Sequence, residues 1–540
     1  MYFPRLIHRM WAAFSMKKKF LRFLHLCMAL MGLHTMELTA ASLDLDQPMN
    51  EVHARSMLTR FGYGPTPRTL SMTIGQTPRQ YLTRAIGDVS TLPEPVDALA
   101  DRIAGERLES IWARYGPGGS AVPPIENTAA RMAMHQLIAN YGLAQIEARL
   151  LIMANSDNPG HEVLLSFWLN HFSVFVSKGR NRLLVGDYIH NLAQAMREDS
   201  FEALLRASFF HPAMQIYLDN EQSLAPESRL GRHAISRGKR VGINENLARE
   251  LLELHTLGVE GGYDQKDVQE LARVITGADV PRADESEEQL ARSGVVRRGF
   301  FLFDPRRHDF GGKRFLGADF PPGEGLAEID RALHLMTSHP ATARHITRKL
   351  AQRFLADEPD PEVLAAMADA FQRSGGRISA TLFALFESPA FQASLQASNK
   401  FKEPLDYLLS VARTVCEDQP ITNARALFAA ASEMGQLPMR RTTPDGYGML
   451  EADWLSPVSM TQRIRFARDV ARGRVQFASP EMRAGSDRQQ VEGQEGCRSD
   501  PERIQKMLGS TRDATRSSLR GLSLVEKSAL LLSSPEFMRR

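Results

Sequence analysis

The stretch that decides the fold is "NENLARELLELHTLGVEGGYDQKDVQELARVITG", Asn244 to Gly277. Leu247, Leu251 and Leu254 recur at helical spacing, Asn244 is a residue type that caps a helix start, and Gly258 is a natural stop. The second half repeats the pattern: Asp264 caps, Val268, Leu271, Ala272 and Ile275 form an apolar face, and Gly277 ends it. Two amphipathic helices joined by a Gly-rich turn are therefore expected. Asn246, Arg249, Glu250 and Glu253 form a second, polar stripe on the first helix, where Arg249 reaches Glu245 or Glu253 four residues away. No basic recognition face accompanies this helix-turn-helix outline, so it carries no DNA-binding signature.

The same periodicity continues on both sides. Upstream, Val52, Met57, Leu58 and Phe61 lie near helical spacing and stop at Gly62, Gly64 and Pro65. In "HEVLLSFWLNHFSVFVS", Leu164, Trp168, Phe172 and Phe175 mark a core helix. Downstream, Pro340 opens a helix whose apolar positions are Ile346, Leu350 and Phe354. The Gly/Pro stretch 116–127 reads as an internal boundary, and the polar stretches 281–294 and 479–500 read as mobile loops. Between Phe300–Phe303 and Arg314–Leu316 lies a Gly-rich turn, which predicts one small β-hairpin. Without periodic repeats or βαβ units, the fold class is all-α: a mainly helical, irregular multi-helix array with that one hairpin.

A chain of 540 residues is long enough for a large core. Its 66 Lys+Arg nearly cancel 63 Asp+Glu, which is no polyanion binder's balance and speaks against nucleic acid as a partner. Hydrophobic residues at 43% and charged residues at 24% exclude wholesale disorder and a multi-span membrane protein. Lys17 to Lys19, the apolar run Phe20 to Leu33 and the small residues Ala40, Ala41 and Ser42 follow the order of a secretory signal peptide over residues 1–41. The run is shorter than the ~20 apolar residues of a membrane span. Translation from Met16 would make the leader a conventional one. Cys27 lies in that leader, leaving Cys416 and Cys497. An exported chain can bridge them, and nothing in their spacing decides it.

With these blocks in view, the chain resembles the domain-of-unknown-function 1800 family of large exported bacterial proteins. The opening stretch carries most of the likeness, and "LTRFGYGPTP" (58–67), "FWLNHFSV" (167–174), "HPAMQIYLDN" (211–220), "RHDFGGKRFLG" (307–317), "HPATARHITRKLAQRF" (339–354) and "FKEPLDYLLSVAR" (401–413) follow in order. Two positions depart from the family pattern: Ala278 stands where a Trp is usual, and Asp264 where a Thr is. The resemblance implies a helical protein, exported to the periplasm or beyond the cell. It further implies a frequent gene neighbour that resembles sulfatases, and no established reaction, cofactor or catalytic residue.

Two sets of side chains are candidates for chemistry. Asp219, Asn220, Asn244, Glu245 and Asn246, with Glu250 and Glu253, are all oxygen donors of the kind a hard cation takes, calcium above all. Paired carboxylates would equally serve acid/base hydrolysis of a glycosidic bond, and caps within a polar network would look the same. The histidines His171, His255 and His308, the last beside Asp309, would suit a transition-metal or hydrolytic site if they converge. No HExxH, nucleophile elbow or phosphate loop is present. Arg344, His345, Arg348, Lys349 and Arg353 form a basic stripe that Asp330 and Asp357 are placed to neutralise. The expected function is a partner or scaffold acting with another secreted, sulfatase-like protein. The alternative is a metal-dependent or carboxylate-based hydrolase of envelope or extracellular polymers, whose acids and histidines must then share one open cleft.

Overall fold

The computed structural model describes residues 44–540 apart from 398, 479–496 and 510. The leader expected over residues 1–41 and most of the loop expected at 479–500 lie outside these described residues. Eight helices carry the polar groups of interest: α1 (Glu51–Arg60), α2 (Thr128–Asn155), α3 (Pro159–His171), α4 (Asn246–Glu250), α5 (Gln265–Val274), α6 (Leu326–Ser338), α7 (Pro340–Phe354) and α8 (Pro404–Cys416).

The opening stretch folds into two helices with one change of register. Helix α4 begins at Asn246, whose N–H donates to Asn244 Oδ1 at 2.9 Å. The chain then widens into a π-helical turn over Leu251–His255. An extra residue in that turn moves the apolar stripe, so Leu247, Leu251, Leu252 and His255 are buried, while Leu254 is only half-buried. Helix α5 starts as its sequence predicts, with Asp264 and Asp267 forming a reciprocal capping box. Gly277 follows at φ +87°, and a Cβ there would stand 3.0 Å from Asp304 O and 3.1 Å from His308 Cβ. Only glycine fits this approach of backbone to backbone.

The β structure is antiparallel and small, and its pairing differs from the single predicted hairpin. Phe301–Phe303 (β3) lies between Ala278–Asp279 (β1) and Val296–Arg298 (β2), with Phe303 opposite both Ala278 and Val296. Lys313–Phe315 (β4) pairs with Ala318–Phe320 (β5). Each segment thus finds a partner across a two-residue turn, Gly299-Phe300 or Leu316-Gly317, and the latter has both residues at positive φ. Closing so short a loop costs less entropy than closing the longer Asp304–Gly312 segment. The polar stretch 281–294 also contains structure: Glu287–Arg292 is a capped helix, and Leu290 packs with Val295 and Leu302.

The rest is helix on helix, as the fold class predicts. Leu43–Arg540 forms one compact unit, and the 116–127 stretch is a series of turns inside it. Helix α8 is wholly interior, with all thirteen of its residues buried. Phe61, just after α1, stacks on Phe354 of α7 at 4.1 Å and meets Phe386 edge-on at 4.7 Å. Truncating such a ring costs about 3–5 kcal/mol. Val52, expected in the same apolar stripe, is 68% exposed, so only the later turns of α1 face the core. Ala278, where the family pattern has Trp, is a buried strand residue. Among the described residues no helix is long and apolar enough to cross a membrane. Cys416 at the end of α8 is bridged to Cys497.

Candidate functional site

The polar face of the opening stretch holds the densest group of candidate acids and ligands. Its amides are spent on backbone. Asn244 Nδ2 donates to Asp219 O and Asn246 Nδ2 to Leu218 O, each at 3.4 Å. These bonds hold a turn in which Asp219 adopts a left-handed φ of +57°. Asn220 is fully buried, donating to Gln215 Oε1 at 2.7 Å and to Ile275 O at 3.4 Å beyond the end of α5. The carboxylates find cations and amides instead of one another. Asp219 binds Lys178 Nζ at 2.9 Å and Gln222 Nε2 at 3.0 Å. Glu245 and Glu253 flank Arg249 at 3.4 Å each, and Glu245 also accepts from Gln265 at 2.7 Å. Among the described residues, no group of three or more His, Cys, Asp or Glu is placed to hold a metal. Glu250 differs from its neighbours: it is half-buried with no hydrogen bond or ion pair. Burial, with Glu253 and Asp445 nearby, pushes its carboxyl above the usual range despite Arg249.

His171 and His255 do converge, joined by His345, and they do so inside the protein. The π-helical turn leaves the Leu254 and His255 carbonyls at a helix end, where such groups lack intrahelical partners. His345 Nε2 donates to Leu254 O and His171 Nε2 to His255 O, both at 3.1 Å. Two imidazoles therefore cap this helix end. His171 also sits among Phe167, Trp168, Phe172 and Phe201. His255 is fully buried with both ring nitrogens unpartnered, and His171 Nδ1 is unpartnered too. Burial, aided by Lys349, pushes His255 down to about 3, His345 to about 4 and His171 well below the ordinary value. All three rings are neutral at pH 7 and withdrawn from the carboxylate stripe.

His308 and Asp309 belong to a separate network. His308 is fully buried; its Nδ1 donates to Thr276 O at 2.7 Å, and its Nε2 lies 3.6 Å from Glu328 Oε1 on α6. Lys313 Nζ donates to the other Glu328 oxygen at 2.6 Å and to Asp309 O at 2.5 Å. Asp309 itself pairs with Arg273 of α5 at 2.8 Å. The "HDFGGK" turn is thereby tied to α5 by the Asp309–Arg273 pair and to α6 by Lys313–Glu328, an ion pair whose two side chains are inaccessible to water. Such a pair holds geometry and offers no approach to a substrate.

Residues 56–539 match the family described as "Protein of unknown function (DUF1800)". The chain belongs to this family. No curated protein and no solved structure matches it.

In this DUF1800 chain the quoted blocks meet one another in the interior. Arg353, read in the sequence as part of a basic stripe, is buried and pairs with Glu403 at 2.8 Å and Asp406 at 2.7 Å, both from "FKEPLDY". Arg540 adds a second cation to Asp406 at 2.6 Å. Burial pushes the Asp406 carboxyl up, but Arg353 and Arg540 together hold it well below its ordinary value. Arg344 and Arg348 do remain exposed. Asp330 and Asp357, expected to neutralise the stripe, pair elsewhere: Asp330 with Arg206 and Arg298, Asp357 with Lys400. Arg60 and Tyr63 of "LTRFGYGPTP" complete the pattern. Arg60 donates to Phe354 O and Leu355 O at 2.8 and 3.0 Å, and Tyr63 OH donates to Glu162 O at 3.2 Å. Sequence reasoning missed Glu328, Lys313, Glu403 and Asp406 as network members. The only available signal was their place inside the blocks, which Glu328 lacks entirely.

Proposed function

We propose that this DUF1800 protein is an exported scaffold or partner that acts with a second secreted protein of the sulfatase-like class. One observation carries this reading: Arg60, His171, Arg273, His345 and Arg353, polar side chains of the blocks, each bond to another block. Five cavities among the described residues have none of Glu250, Glu253, His171, His255, His308 and Asp309 in their walls, whereas Asp219 lines one of them, of about 560 Å³. Export is supported by the order of the leader sequence and by the Cys416–Cys497 bridge, since such bonds persist in oxidising compartments. The test is co-expression of the chain with a secreted sulfatase-like protein of the same organism, the class of neighbour that the family resemblance implies, followed by size-exclusion chromatography with light scattering. A complex of defined stoichiometry is the expected result; two separate peaks at micromolar concentration would overturn the proposal.

A second reading, a carboxylate-based or metal-dependent hydrolase of envelope polymers, rests on Glu250, the one carboxylate of the stripe that is half-buried, unpaired and raised toward neutrality. Polymer hydrolysis that disappears in a folded Glu250→Gln variant would replace the scaffold reading. Absence of hydrolysis by the wild type, metal-loaded or not, would end this one.

A further inference from the structure

A cavity of about 90 Å³ lies between α1, α8 and the chain from Glu536 to Arg540. Its wall includes four cationic side chains, Arg55, Lys402, Arg539 and Arg540, and one carboxylate, Glu536. The arginines are matched: Arg55 to Glu51 at 2.5 Å, Arg539 to Glu451 at 2.5 Å and Arg540 to Asp406 at 2.6 Å. Glu536 accepts from the Arg512 N–H at 2.8 Å and from the Thr515 hydroxyl at 2.9 Å. Lys402 is the exception. It is 5% exposed, its ammonium makes no hydrogen bond or ion pair, and it stands over the Phe537 ring, 4.5 Å from the ring centre. Asp406, the carboxylate acting on it from a distance, already serves Arg353 and Arg540.

Among the fully buried side chains here the balance is positive, the wall's own carboxylate, Glu536, being only half-buried and serving an N–H and a hydroxyl. Arg353, Arg540, Lys402 and Arg463 are all buried, against the buried carboxylates Asp406 and Glu403. Burying an unmatched ammonium is costly unless it loses its proton or gains an anion. The cavity also holds an unused donor: Ser410 is 2% exposed and its Oγ has no hydrogen-bond partner. Gly64, at φ +90°, forms the facing wall, where a Cβ would come within 3.8 Å of Ser410 Oγ. The volume has room for several waters or one small oxyanion.

We propose that this cavity binds a small oxyanion, a phosphate, sulfate or carboxylate group, which supplies the missing counter-charge to Lys402 and accepts the Ser410 hydroxyl. Left empty of an anion, the site drives the Lys402 amine down to about 7 by burial. An occupied site restores the full charge.

The test is isothermal titration of the folded, full mature chain with sodium phosphate, sodium sulfate and sodium acetate, in chloride buffer at constant ionic strength. Saturable one-to-one binding of at least one of these is expected, weakened about tenfold or more in Lys402→Met and in Ser410→Ala. Preference for phosphate and sulfate over acetate would identify a tetrahedral dianion, and the reverse a carboxylate. If Lys402→Met does not fold by circular dichroism, Ser410→Ala carries the decision. No saturable heat with any of the three anions, or unchanged affinity in the folded variants, overturns the proposal.

Discussion

Removing the Cys416–Cys497 bridge should lower the melting temperature by a few degrees without changing the fold. The two cysteines are 81 residues apart in sequence, and in the chain-entropy description a loop of that length restricts the unfolded state by about 4.5 kcal/mol. Unfolding entropy near 2.1 cal/mol/K per residue, summed over the compact unit Leu43–Arg540, amounts to about 1 kcal/mol/K. The ratio predicts a fall of about 4–5 °C. Differential scanning calorimetry would compare the oxidised wild type, the wild type in dithiothreitol and the Cys416→Ala/Cys497→Ala pair. The pair and the reduced wild type should melt together, below the oxidised protein, and reductant should leave the pair unchanged. On protein made without residues 1–41, which hold Cys27, mass spectrometry after iodoacetamide treatment should show no adduct before reduction and two after it. Equal melting temperatures for all three samples, or two adducts on the unreduced protein, would refute the reasoning. Either result would also withdraw one support for export.

Acid should act through the histidines at the π-helical turn. An unfolded imidazole takes a proton below about 6.5, whereas folded His255 holds off until about 3. The unfolded state therefore binds more protons between those values, and stability falls as pH drops through 6.5. From pH 7 to pH 5 the loss for this residue is about 2 kcal/mol. Urea unfolding of His255→Phe at both pH values should show a shallower loss than the wild type; an equal loss would show that His255 does not titrate on unfolding. In the "HDFGGK" network, Lys313→Met strands the fully buried Glu328 and should cost about 3–5 kcal/mol, while Lys313→Met/Glu328→Leu should recover most of it. A double variant as unstable as the single one would mean that the pair is not what holds β4 to α6.

Much of the architecture was legible in sequence because periodicity and caps are local. Leu247 and Leu251 face the core, Asp264 caps α5, Gly277 stops it, and Ile346, Leu350 and Phe354 are buried, all as their spacing requires. Arg249 also sits between Glu245 and Glu253, as the four-residue rule predicts. The extra residue of the π-helical turn was not legible. It alters which side chains reach the core, and depends on carbonyls that His171 and His345 satisfy from helices far off in sequence.

Taken alone, the sequence determined the helical class, the family and the places of the helices whose apolar spacing and caps it displays, because spacing and caps follow from neighbours within a few residues. Tertiary structure alone decided which charges meet. Nothing local distinguishes Arg353, buried against Glu403 and Asp406, from Arg348, which stays in solvent on the same helix. Nor does anything local tell that Lys313 pairs with Glu328 while Lys402 is left without a carboxylate. Ion pairing in a core is settled by burial and by partners from 15 to 134 residues away in these pairs and in Arg540–Asp406, and those contacts exist only once the helices have packed.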